Sequence, residues 1–458
     1  YLSVYQGAYG TAQTLFEESL SLAQGVQLSE LTASGLAGLG TVHLYQYHPV
    51  EAEAFYKQAL CIYQQLGELR GEGEMLSSLS IIFREWGDYD RARTCCERAL
   101  WIDSQIGNRL DEARVLINIG IIYQLQGIYE EAEKYYQKSL TISYETGYRR
   151  CRGLAQLSLG VICQLLGDFH NAQDLFLQAL NLFEAIGFRL GISEALYHLG
   201  LIACDMGDVG TARGYARQLL IIAQADGNRF SQIYALKIMG HAQVEMQHPQ
   251  ETLSAFQQAI GIGRELNQTS QVLPLLADLA NVYQTQGDLA QAQVQVEEIL
   301  KYQGTKTLEE SENDPCQIYL ACYRVLKAGP DPRAFTVLQT AHQILQDRAA
   351  RLSDEQRRHS YLENIAAHRE ILAEMAALAT PADISPNEPQ TGALVEPLTP
   401  RELDVLRLMA KGLSNNEIAE RLVLGRATIK SHAHRLFAKL EVHNRAQAIQ
   451  RARELKLL

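Results

Sequence analysis

Apolar residues recur through most of the chain at three- and four-residue spacing, the pattern of helices that bury one face. Residues 151–187 show the unit. Leu154, Leu157, Val161 and Leu165 lie at helical spacing, Gly167-Asp168 breaks the run, and Ala172, Phe176 and Ala179 follow on one face as far as Gly187. Glycine permits the turn and aspartate can cap the next helix. The block recurs every 40 residues: Gly stands at 7, 87, 127, 167, 207 and 287, with Tyr47 and Gln247 in the two gaps. Five residues on, the series runs from Ala12 to Ala292 with Thr252 the one departure; thirteen on, it runs from Leu20 to Leu300 with Ile260 the exception. Glycine is only about 7 % of an average chain, so this spacing is not chance. Both gaps are followed by His-Pro, at His48-Pro49 and His248-Pro249. Proline starts a helix without losing a needed N–H, so other chemistry is expected to make those two turns.

Each unit therefore predicts two helices. Small residues at Gly40, Ser80, Gly120, Gly160, Gly200, Gly240 and Ala280 let the pair approach closely, and large ones at Phe16, Tyr56, Tyr136, Phe176 and Phe256 fill the next gap. The large residue is missing at Cys96, Ala216 and Val296, where looser packing is expected. This pattern resembles the tetratricopeptide repeat in a lengthened 40-residue form, over about residues 1–300. The resemblance implies an all-α fold: an α-solenoid of about eight helix pairs, with a concave groove for a protein, peptide or small-molecule effector. A single pair cannot bury its own apolar face, so neighbours must stack. By the register, Arg84, Gln124, Gln164, Lys237, His241 and Gln284 line the groove, although each also reads as an ordinary solvated helix face. An apolar ladder of Ile81, Ile121, Val161 and Leu201 faces either the groove or the neighbouring repeat. In register Ser3 matches His43 and Tyr123, so the sequence opens inside a first helix, and it begins with Tyr; a longer protein with a segment upstream is expected.

The solenoid is expected over residues 1–305. Residues 306–379 read as a worn ninth unit and a helical cap: Ile318 to Leu326, a Gly329-Pro330-Asp331-Pro332 turn, then Ala334, Leu338 and Ala341, followed by Asp354 to Ile371. His342, His359 and His368 show no metal-ligand spacing and read as surface or capping residues; no metal or other cofactor is assigned. Residues 380–397, with Pro381, Pro386, Pro389 and Pro397, read as a linker.

Residues 398–458 predict four short helices. The first sets Leu403, Leu406 and Met409 or Ala410 inward and ends at Gly412; Ser414-x-x-Glu417 is a capping box opening a second, with Ile418, Ala419 and Leu422. A turn at Val423-Leu424-Gly425 leads to a third helix with Ile429, Leu436 and Leu440 buried and Arg426, Lys430, Arg435 and Lys439 unopposed by any acid. A fourth buries Ala448, Ile449, Ala452 and Leu455. Two short helices, a tight turn and a basic helix make a helix-turn-helix, whose second helix enters the major groove. The stretch is similar to the LuxR-type DNA-binding domain in Leu398-Thr399-Pro400-Arg401-Glu402, Gly412-Leu413-Ser414-Asn415, Glu417-Ile418-Ala419, Thr428-Ile429-Lys430-Ser431-His432, Lys439-Leu440 and Asn444-Arg445-Ala446. It departs from that family at Glu441 and Ala433. The resemblance implies base contacts from Lys430, Ser431 and His434, and phosphate contacts from Arg426, Thr428, Arg435, Lys439 and Arg445. It also implies double-stranded DNA as partner and a homodimer formed through Asn444 to Leu455.

Composition sharpens the division of labour. The chain of 458 residues carries a net charge of −12, yet residues 396–458 hold +5, so the remainder holds −17. A small basic tail on a large acidic body signals two jobs. No stretch approaches the ~18 uninterrupted apolar residues of a membrane helix. The eight cysteines lack Cys-x-x-Cys or zinc spacing and read as buried, reduced thiols of a cytoplasmic protein. There is no phosphate-binding loop, no Gly-x-Ser-x-Gly and no His-Glu-x-x-His, so no enzyme is expected in these residues. Array plus head resembles the large ATP-dependent LuxR-family regulators, a resemblance that implies an upstream nucleotide-binding module. The expectation is a DNA-binding transcription regulator controlled by its repeat arm. A repeat scaffold with a vestigial head is the alternative, and a peptide-pheromone receptor is disfavoured because its helix-turn-helix stands at the other end.

Overall fold

The computed structural model describes residues 9–25, 28–46, 48–305, 308 and 314–379, and beyond these 405, 406, 408–410, 418, 421, 439, 442, 448 and 452. The chain forms two compact units, Tyr1–Thr380 and Pro381–Leu458. Among the described residues all regular structure is helical. In the first unit α1 (Tyr9–Gly25) precedes three pairs: α2 (Ser29–Tyr45) with α3 (Pro49–Leu66), α4 (Leu69–Glu85) with α5 (Tyr89–Ile106), and α6 (Arg109–Leu125) with α7 (Tyr129–Thr146). Four more follow: α8 (Arg149–Leu165) with α9 (Phe169–Ile186), α10 (Arg189–Asp205) with α11 (Val209–Ala225), α12 (Arg229–Glu245) with α13 (Pro249–Glu265), and α14 (Thr269–Thr285) with α15 (Leu289–Leu300). The worn unit forms α16 (Pro315–Ala328) and α17 (Arg333–Ala350), and two helices close the unit, α18 (Glu355–Glu363) and α19 (Ala366–Ala379).

Chain-local chemistry sets the boundaries. Among the described residues the turn inside a pair takes a left-handed residue, as at Gly167 with φ 76°, and the turn between pairs takes another, as at Gly187 with φ 67°. Gln247 and Asn267, with φ 58° and 54°, adopt this conformation without being glycine, so the second gap in the glycine series keeps the same turn. Pro49 and Pro249 open their helices. Aspartates cap four of the second helices, α5, α9, α11 and α15: Asp208 accepts from the Thr211 N–H at 3.1 Å, and Asp288 from that of Gln291 at 3.1 Å.

Packing follows a size rule. A Cβ built on Gly120, Gly160 or Gly240 would lie 2.4–2.5 Å from the ring of Tyr136, Phe176 or Phe256, so these rings occupy space that only glycine leaves. Cys96, Ala216 and Val296, where the ring is missing, are fully buried. Ser80 and Ala280 stand where glycine would face Cys96 and Val296, and at Gly200 the next repeat's Ile238 fills the space, 2.6 Å from a built Cβ. Small plugs meet larger partners.

Successive first helices touch, joined for example by Asn118 donating to Ser77 at 3.3 Å. The second helices splay outward and leave an open cleft of about 630 Å³ lined by Leu100, Trp101, Lys138 and Thr141. First helices therefore form the inner wall. The predicted closing helix is broken into α18 and α19, and it does more than cap an open end. The segment from Arg348 to Asn364 returns to the turns at the ends of α6 and α8. Arg351 donates to the Gln126 carbonyl at 2.7 Å, Ser360 to that of Leu166 at 2.7 Å, and Asn364 to that of Gly167 at 3.1 Å. Arg357 pairs with Glu133, and Ser353 with Glu130. A Cβ on Gly127 would meet Arg348 at 2.9 Å, and one on Gly167 the Asn364 side chain at 2.8 Å. The turn glycines thus also seat the closure.

Candidate functional site

In the C-terminal unit, Val405, Leu406, Met409, Ile418, Ala448 and Ala452 are buried, the inward positions expected for a small helical head, with Val405 added. Lys439 is helical and half-buried. The other predicted DNA-contacting residues, Arg426, Thr428, Lys430, Ser431, His434, Arg435 and Arg445, lie outside the described residues, as does the linker.

The six predicted groove residues all sit on first helices and divide into two sets. Gln124 accepts the Tyr136 hydroxyl at 2.8 Å, and Gln284 donates to the Arg324 carbonyl at 3.0 Å; these serve packing within and between repeats. Arg84 stands alone, half-buried in the last turn of α4. Gln164, Lys237 and His241 are brought together by residues that sequence reasoning missed. His198 hydrogen-bonds Gln164 at 3.2 Å, and His241 pairs with Asp278 at 3.2 Å. Lys237, 8 % exposed, hydrogen-bonds Tyr197 and faces Asp278 and Asp205. Tyr197 stacks on Tyr234 with ring centroids 4.0 Å apart. The missed signal lay in the register: His198 and Asp278 occupy the position of Ser158, one residue from the position examined for Lys237.

The electrostatics of this cluster follow from its walls. Burial pushes the His198 ring down to about 4, with Lys237 adding to the effect, so it is neutral at physiological pH. Burial alone would raise the Asp278 carboxyl, but His241 and Lys237 outweigh it and hold it below the usual carboxylate range. Asp205 opens onto the inner face, yet the surrounding walls withdraw enough water to push its carboxyl up to about 6 against the pull of His241, Gln164 and Lys237.

A second polar cluster lies beneath the closure. His368, read as a surface or capping residue, lies in the closing helices and is fully buried; its ring meets Asp314 at 2.6 Å and the Tyr361 carbonyl at 2.6 Å. Arg348 stands 3.8 Å from Asp314 and donates to the Tyr129 hydroxyl at 3.1 Å. Burial would raise the Asp314 carboxyl, but His368 and Arg348 hold it down to about 2. Asp314, Cys316 and His368 present ligand atoms within 4.8 Å of one another. The Asp314–His368 bond already occupies two of these groups and the Arg348 cation opposes a second cation, so the cluster is a structural knot. The cysteines are not uniformly buried: Cys96, Cys151, Cys316 and Cys322 are, Cys95, Cys163 and Cys204 are partly so, and Cys61 is exposed. Among the described residues no helix is long and apolar enough to cross a membrane.

Comparison with known proteins assigns both halves. Residues 396–452 match the bacterial regulatory proteins of the luxR family, and residues 32–66, 72–145 and 151–225 match tetratricopeptide repeats. The chain carries a LuxR-type helix-turn-helix domain behind a tetratricopeptide array. It is 48 % identical over 56 residues to the transcriptional regulatory protein YxjL of Bacillus subtilis, covering 12 % of this chain and 26 % of that one. It is 44 % identical over 71 residues to the transcriptional regulator MalT of Vibrio cholerae, covering 15 % of this chain and 8 % of that one. The chain thus spans well under two thirds of the length of the curated relatives it matches. The Rap conjugation gene regulator of the plasmid pLS20, solved in complex with a peptide, superposes with a TM-score of 0.52 at 16 % identity, covering 67 % of this chain and 78 % of that one. At that identity the likeness is one of fold.

Proposed function

We propose that this chain, a tetratricopeptide array carrying a LuxR-type helix-turn-helix domain, is a sequence-specific DNA-binding transcription regulator of the cytoplasm. The match of residues 396–452 to the luxR family carries the proposal. In this reading Lys430, Ser431 and His434 read base edges, while Arg426, Thr428, Arg435, Lys439 and Arg445 hold phosphates. Lysine suits the O6 and N7 acceptors of guanine, and phosphate contacts supply affinity without sequence information. The residues from Asn444 to Leu455 form the dimer contact on paired half-sites. The array receives the effector, a protein, peptide or small molecule, on its inner face around Gln164, Lys237 and His241. The proposal assigns no catalytic step to these residues.

The test is selection of random-sequence duplexes on the full chain at two salt concentrations. A recovered palindrome whose binding is weakened by about 1–3 kcal/mol and relaxed at one base pair by Lys430→Ala, and weakened alike on all sequences with the salt slope reduced by about one by Arg435→Ala, supports the regulator. Absence of enrichment at low salt refutes it and favours the scaffold.

A further inference from the structure

The inner wall is chemically divided along its length. At one position on successive first helices stand Ile81, Ile121, Val161 and Leu201, all partly exposed; the next two helices place His241 and Asn281 there. The apolar ladder therefore ends where charge begins. Three carboxylates, Asp205, Glu245 and Asp278, gather at that end. The cations set against them are Lys237, buried behind, and His241 when protonated. Asp205 and Glu245 are exposed at equivalent positions on α10 and α12, so this end presents an unbalanced negative surface.

The spacing of the ladder selects a ligand shape. Axes of packed helices lie roughly 8–10 Å apart. A polyproline-II chain advances about 3.1 Å per residue with three residues per turn, so every third side chain returns to one face after about 9 Å. Four apolar stations then match four side chains at three-residue intervals, a span of roughly ten residues. Gln124, whose carbonyl oxygen is taken by Tyr136, keeps an amide nitrogen suited to a ligand carbonyl.

We propose that the inner wall binds an extended peptide, with apolar side chains at every third position on Ile81, Ile121, Val161 and Leu201 and a cationic end among Asp205, Glu245 and Asp278. The inference rests on the reading of the array as the effector-receiving arm. The upward push of burial on the Asp205 carboxyl, which His241, Gln164 and Lys237 only partly offset, is relieved further when a ligand cation approaches it.

The experiment is selection of a displayed random decapeptide library with free N-termini on the full chain. The winning peptide is then synthesised with a fluorophore for anisotropy titration. Enrichment of apolar residues three apart with a basic group at one end is expected. Asp205→Asn/Glu245→Gln should weaken binding at least tenfold and flatten its salt dependence, with an unchanged circular-dichroism melt. Val161→Trp, on the ladder, should block the same peptide. Winners that are acidic, or that bind the double variant equally well, overturn the assigned polarity; winners that ignore Val161→Trp overturn the site. No enriched peptide alongside a head that still selects its DNA overturns the peptide and leaves the regulator standing. A cationic peptide bound by a chain that selects no DNA does the reverse.

Discussion

Replacing Asp314 by Asn isolates one charge in the knot beneath the closure. Asn is as good a helix cap as Asp, so α16 keeps the bond that residue 314 accepts from the Cys316 N–H at 3.1 Å. What disappears is the carboxylate that His368 meets at 2.6 Å and that Arg348 approaches at 3.8 Å. The carboxyl is held down from its ordinary value of 3.8 to about 2. At about 1.4 kcal/mol per unit, that difference is on the order of 2–3 kcal/mol of stability. The sign is that of a depressed acid: the contribution is present above pH 4 and is lost as pH falls through 2. A stacked array need not melt as one unit, so the proper readout is hydrogen exchange of α16 to α19, with α2 and α3 as internal reference. At pH 7 the variant should open the closing helices on the order of 100-fold more often than the wild type. The difference should shrink as both proteins are taken toward pH 2. Equal protection at pH 7 would refute the electrostatic account of the knot, and a deficit that persisted undiminished at pH 2 would assign the loss to geometry instead of charge.

Gly160→Ala places a Cβ about 2.5 Å from the Phe176 ring and should cost about 1–3 kcal/mol in urea unfolding, with Phe176→Leu restoring part of the loss in the double variant. Burial and the neighbouring Asp111 push the Asp103 carboxyl up to about 7, so the wild type should lose stability as pH rises from 4 to 7. Asp103→Asn should not lose it, the gap being at most about 4 kcal/mol. Of the eight thiols, Cys61 is exposed while Cys96, pushed up to about 12, and Cys316 are buried. A neutral-pH maleimide should label Cys61 first and leave Cys96 and Cys316 unreacted until the array is unfolded.

The repeat was legible because its determinants are local. A 40-residue period, a glycine at six of the eight turn positions and an aspartate after four of them, at Asp88, Asp168, Asp208 and Asp288, are visible in the chain without any partner. Even the size rule was half visible: the missing rings at Cys96, Ala216 and Val296 stood out, but their compensation by Ser80, Ile238 and Ala280 shows only when the facing helix is in place. The closure was not legible for the complementary reason. Its contacts join residues 194 to 225 positions apart, and they depend on how far the stacked pairs rotate from one to the next, a quantity that no local pattern encodes. His368 illustrates the consequence. Alone in a polar stretch it reads as a surface or capping residue; only the return of the chain to Tyr129 and the knot at Asp314 bury it. The inner-wall cluster falls between these cases, since Gln164, Lys237 and His241 followed from the register while their partners His198, Asp205 and Asp278 required distances across helices.

The closure and the inner wall share a footing. Gln124 and Gln164 face inward from the last turns of α6 and α8, and two residues further on the carbonyls of Gln126 and Leu166 accept from Arg351 and Ser360. A ligand that draws these first helices together or apart must move the turns on which the closure rests. Interior packing resists gradual deformation, so the closure either follows the turns or releases them. Linkage then makes the effect reciprocal: whatever factor the ligand applies to closure, closure applies to the ligand. The Asp314→Asn chain, loosened at the knot but unaltered along Ile81 to Asp278, provides the measurement. If saturating peptide changes the exchange of α18 by the same factor in this chain and in the wild type, while exchange in α2 and α3 stays as it was, the two sites are coupled through the turns. Exchange in α18 that saturating peptide leaves unaltered in both chains would refute the shared footing.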